Sequence, residues 1–74
     1  MQDEDVRAPL LRALDDQSED VQIAALEVIA DSEMFDLLSV LRLRKERENN
    51  EATLEALNET IEELEYIQDL EQGQ

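Results

Sequence analysis

The chain contains neither cysteine nor histidine. That rules out disulfides and thiolate or imidazole metal ligation, along with the side chains that most often serve as base or nucleophile near neutral pH. Its one glycine, Gly73, leaves no glycine-rich phosphate loop. One proline, one tyrosine, one phenylalanine and no tryptophan argue against turn-rich β architecture. Bases are scarce too, with six Lys and Arg against twenty-one Asp and Glu, a net charge of −15. No apolar run approaches the roughly 20 residues that cross a bilayer, and no signal-peptide core follows Met1. These absences predict no catalysis, no cofactor, no metal and no membrane contact, with the cytoplasm as location.

What is present is helical. Ala, Leu, Glu and Gln dominate, and all four are good helix formers. Apolar residues make up 42% of the chain at helical spacing, too many and too patterned for a disordered segment. With 74 residues there is room for one domain, and chains near this size bury only about 60% of their unfolded surface. A charge of −15 repels nucleic-acid phosphates and anionic membranes, so neither is an expected partner. It also repels itself, and about 1 M salt, with a Debye length of roughly 3 Å, would screen most of that. Lys45 is the single lysine beside five arginines, and high acidity with little lysine is the surface style of salt-adapted proteins. A halophilic source is the expectation.

Periodicity predicts four helices, at about 5–14, 19–30, 32–47 and 51–70, in one domain spanning 1–70 with a frayed tail at 71–74. In the first, Val6, Leu10, Ala13 and Leu14 share a stripe and Asp3 can cap it. Pro9 suggests that regular helix begins only at Ala8. Ser18 is the expected cap of the second helix, whose main apolar face is Val21, Ala24, Ala25, Val28 and Ile29. Ile23 and Leu26 widen that face, so cover on more than one side is predicted. Asp31-Ser32 supplies a break and a new cap for the third helix. Asn50 caps the fourth, where Leu54, Leu57, Ile61, Leu64 and Ile67 form a narrow seam of coiled-coil type. Glu51, Glu55, Glu59 and Glu63 occupy another face.

Charge is unevenly placed. Residues 1–41 hold eleven acids and two arginines, net −9, and residues 48–74 hold nine acids and no base, again −9. Between them Arg42, Arg44, Lys45 and Arg47 with Glu46 make an island of +3. Cations at a helix C-terminus are favoured by the macrodipole. A hairpin through Asn49-Asn50 would also set Arg44 and Arg47 beside Glu51 and Glu55. The island is thus first a neutralising element and second a candidate partner contact. Asp16-x-Ser18-x-Asp20 with Glu27 matches part of a calcium-loop pattern, but Val21 stands where that loop needs glycine. An interhelical turn is the expectation there.

Residues 8–30 carry a longer pattern. Pro9, Leu10, Leu11, Leu14, Asp16, Val21, Ala24, Ala25 and Leu26 fall where a HEAT repeat of the phycobilisome-lyase type has its early proline, apolar run, Asp-rich turn and second helix of small residues. This stretch resembles one such repeat, with Gln22 in place of the family's usual arginine. The resemblance implies stacked antiparallel helix pairs and a role in binding other proteins. Repeat arrays need about three units to bury a continuous core, and this chain has at most two. It must close its own bundle, use the fourth helix as a cap, or pair with a second copy.

The sequence therefore predicts an all-α fold of four helices in two antiparallel pairs with HEAT-like (α-α superhelix) packing. The expected core is Leu10, Leu14, Val21, Ala25, Val28, Ile29, Phe35, Leu38, Leu41, Leu54, Leu57, Ile61 and Leu64. The expected function is a non-catalytic protein–protein interaction or adaptor module, including pairing as a homodimer. Its partner-binding candidates are Arg42, Arg44, Lys45, Arg47, Leu57, Ile61 and Leu64. The alternative is an acidic nucleic-acid mimic that inhibits a basic nucleic-acid-binding protein.

Overall fold

Helices α1 (Glu4–Leu14), α2 (Glu19–Asp31), α3 (Leu38–Arg47) and α4 (Glu51–Gln72) follow one another in a computed structural model that describes residues 4–73, with side chains from residue 7 onward. The fold is all-α, with α1 on α2, α3 on α4, and the two pairs joined through α2 and α4. Asp3 and the side chain of Val6 lie outside the described residues. Helix α1 begins at Glu4 and runs through Pro9, not from Ala8. Pro9 is the sixth residue of this helix, past the first-turn donors that are unpaired in any case, so it removes one intrahelical hydrogen bond. Among the described residues no helix is long and apolar enough to cross a membrane.

The α1–α2 turn is built by short side chains. The Ser18 backbone N–H donates to Asp16 Oδ1 at 2.8 Å, and Ser18 takes the N-cap position of α2. Its hydroxyl makes no capping bond, so the turn is held by Asp16 and not by the serine oxygen. Gln22, at the position of the missing arginine, donates from Nε2 to the Asp16 carbonyl and accepts from Thr53 Oγ1 at 3.0 Å. One neutral side chain thereby joins the first turn to the start of α4. There Asn50 Oδ1 accepts from the Thr53 backbone N–H at 3.0 Å, the cap its sequence position predicts.

Two features depart from the sequence reading. Helix α2 does not hand over to a third helix at Ser32; it closes there. Glu33 N–H bonds Ala30 O at 3.1 Å, Met34 N–H bonds Ile29 O at 3.2 Å, and Glu33 adopts φ 52°. This is a Schellman closure, with a left-handed residue after the cap and an apolar one, Met34, folding back onto the helix. A 3-10 turn at Phe35–Leu37 then leads into α3. At the other end of the chain α4 continues two residues past Leu70, to Gln72.

The second departure is the rotation of α2. Its buried residues are Ala25, Leu26, Ile29 and Ala30, while Val21 is 39% and Val28 43% exposed, with Ala24 exposed between them. Turning Leu26 inward seats a larger side chain than either valine, and Ala25 and Ala30 let neighbouring helices approach closely. Leu26 and Ile29 join Leu41, Leu57 and Leu64 as the largest fully buried side chains. Each contributes roughly 1.5–3 kcal/mol over an exposed position. Leu10, Phe35 and Leu54 of the expected core are half-buried, and Thr53 and Thr60 are buried in their stead on α4. The shortest dimension is 17 Å, which holds two helix layers at the usual spacing of about 8–10 Å. Among the described residues no third layer covers α2.

Candidate functional site

The predicted partner residues separate into two sets. Leu57, Ile61 and Leu64 are at most 5% exposed. They hold α4 to the rest of the core, and Ile61 also lines a surface groove with Arg42 and Lys45. As binding candidates they are core residues first.

The basic island divides along α3. Arg42 pairs with Glu65 of α4. Arg44 reaches back to Asp15, and its Nη1 donates to the Leu14 carbonyl at 3.4 Å. Neither Arg44 nor Arg47 forms an ion pair with Glu51 or Glu55: Arg44 is bound to the α1–α2 turn, and Arg47 pairs with no described carboxylate. Arg44 and the exposed Arg47 share a groove of about 390 Å3 with Val40 and Leu43. Arg42 and Lys45 line another, of about 380 Å3, against α4. Lys45 and Arg47 take part in no ion pair with a described residue. Neutralisation thus accounts for two of the four cations. A third ion pair ties α1 to the 3-10 turn, where Arg7 binds Asp36 through two bonds of 2.6 and 3.0 Å. The guanidinium holds the Asp36 carboxyl below the usual carboxylate range.

One apolar surface feature escaped the sequence reading because its two valines were assigned to the core, while Leu43, Tyr66 and Leu70 stand exposed on α3 and α4. Val21, Ala24 and Val28 recur at i, i+3 and i+7 and form an open stripe along α2. At about 100° per residue, Asp20, Glu27 and Asp31 lie on the adjoining arc of the same helix. All three are exposed. Beyond them, Glu59 and Glu63 of α4 line a groove of about 210 Å3 with Glu27 and Asp31, over Ala30 and Thr60. None of these five carboxylates enters an ion pair among the described residues. Neither α2 nor α4 contains a Lys or Arg.

Protein-family models, curated proteins and solved structures offer no match to this chain. The HEAT likeness of residues 8–30 therefore rests on its own residues, and the surface must be judged by its chemistry. That chemistry is an exposed apolar stripe beside carboxylates that form no ion pair among the described residues. The signal that would have exposed it was in the sequence. Eight of the thirteen α2 residues are apolar and circle the helix, more than a two-layer fold this short can cover.

Proposed function

We propose that this protein is a non-catalytic protein–protein interaction module with HEAT-like helix pairing, working in a salt-rich cytoplasm. The observation that carries the proposal is the Val21–Ala24–Val28 stripe, an apolar helix face left in solvent by a fold that buries its neighbours Ala25 and Ile29. Isolated exposed apolar residues need no explanation, whereas an aligned set on one helix marks an interaction surface. The HEAT resemblance supports the same role, since stacked helix pairs of that kind present their helices to other proteins. Lys45 and Arg47 offer a secondary contact on α3.

The test is a comparative capture. Wild type and Val21→Ser/Val28→Ser are immobilised, with circular dichroism confirming that both are helical, and native extract is passed over each. A set of proteins retained by the wild type and lost with the double variant is expected. Identical retained sets would defeat the proposal. Salt adaptation is tested separately by melting temperature, which should rise as salt is raised toward about 1 M; a flat response removes it.

The nucleic-acid mimic remains as a second reading because the α2 and α4 sides bear carboxylates without a single base. It needs the acids and not the valines. Glu59→Lys with Glu63→Lys should then abolish capture while Val21→Ser/Val28→Ser leaves it intact.

A further inference from the structure

We infer that the partner presents an amphipathic helix whose apolar ridge is bordered on one side by Arg or Lys, and that it lies along α2. This rests on the reading of the stripe as a protein-binding face, and adds the occupant. Three properties of the surface select it. Val21 and Val28 stand two turns apart on α2 with the small Ala24 between them. Those positions form a row along the helix, and a partner helix delivers apolar side chains at matching i, i+3 and i+7 intervals. The backbone of α2 is already hydrogen-bonded as helix, so an extended strand would find no edge to join.

Charge then decides the flank. The stripe adjoins Asp20, Glu27 and Asp31, and past them Glu59 and Glu63, with no base on either helix and no ion pair at any of the five among the described residues. A cationic flank gains these carboxylates, while an acidic flank is repelled by them. On α2 and α4 the charges lie to one side of the valines, so the partner's bases must also be one-sided, which fixes its orientation about its own axis. A second copy is disfavoured by the same logic. Its own Asp20, Glu27 and Asp31 would be brought against their equals, on top of a net charge of −15 per chain.

Two synthetic helices of about 16 residues test this on the full chain. Both carry the same Leu ridge; one has Lys and Arg along one side, the other Glu. Fluorescence anisotropy is measured at about 0.05 M and about 0.5 M salt for wild type, Val21→Ser/Val28→Ser and Glu27→Gln/Asp31→Asn. The basic helix should bind wild type at least about tenfold more tightly than the acidic one. Each double variant should weaken it by about tenfold, and only the carboxylate variant should flatten the salt dependence. Equal binding of the two helices overturns the inference while leaving an apolar binding face in place. Loss with the carboxylate variant but none with the valine variant also overturns it, and points to the mimic. No binding of either helix overturns it too, with the capture experiment deciding the broader reading independently. Light scattering that shows a dimer lost on Val21→Ser/Val28→Ser would assign the face to a second copy instead.

Discussion

Replacing Glu33 with glycine should make the protein more stable, although the substitution removes a side chain and adds none. Glu33 sits at φ 52° in the Schellman closure of α2. A left-handed backbone costs a residue with a Cβ about 1–2 kcal/mol, and glycine escapes that cost. Glycine in turn loses more chain entropy on folding, by about 0.5–1 kcal/mol. The difference is a net gain of about 0.5–1 kcal/mol. In a domain of this size that raises the melting temperature by about 2–8 °C. Thermal and urea unfolding followed by far-UV circular dichroism would measure it. Glu33→Gly also removes one of the twenty-one acids, so Glu33→Gln is the necessary control. Glutamine relieves the charge and keeps the strained backbone. If glutamine stabilises as much as glycine, the gain is electrostatic and the conformational argument fails; a loss of stability with glycine refutes it outright.

Core and stripe should respond oppositely to truncation. Leu41→Ala, at a position 0% exposed, should cost about 2–5 kcal/mol, while Val28→Ser should stay within about 0.5 kcal/mol; urea midpoints compare them. Arg44 joins α3 to Leu14 and Asp15, so Arg44→Ala should cost about 1 kcal/mol and Arg47→Ala less than about 0.5 kcal/mol in the same assay. The Arg7–Asp36 pair sets a pH dependence. Because the folded-state pKa of Asp36 is lowered, its contribution is complete above the unfolded carboxylate value and disappears as pH falls through the folded one. Asp36→Asn should therefore be less stable than wild type at neutral pH and converge with it in strong acid. The exposed pair limits that gap to under about 1 kcal/mol, and a gap that widens on acidification would contradict the assignment.

Much of the architecture was legible because its signals are local. Asn50 accepts from Thr53 as its cap position predicts, and Leu57, Ile61 and Leu64 hold the centre of the α4 seam. The break at Asp31-Ser32 was legible, but the turn that delays α3 to Leu38 was not, since a left-handed turn usually announces itself by glycine or asparagine and here the residue is glutamate. The phase of α2 was missed for a different reason. Val21, Ile23, Ala24, Ala25, Leu26, Val28, Ile29 and Ala30 leave its circumference almost uniformly apolar, so periodicity alone cannot choose the inward side. Packing against α1 and α4 makes that choice. The partners of the basic island were equally invisible, because Asp15 lies 29 positions from Arg44 and Glu65 lies 23 from Arg42. The candidate surface on α2 is a direct consequence of the unread phase.

The account stands on the outer face of α2 being a binding surface. Backbone amide chemical-shift mapping of the full chain, titrated with the one-sided basic helix, tests that claim residue by residue. Shifts should concentrate at Val21, Ala24, Glu27, Val28 and Asp31, and reach Glu59 and Glu63 across the groove. Shifts confined to Arg42–Arg47, or absent from α2 at saturating helix, would contradict it.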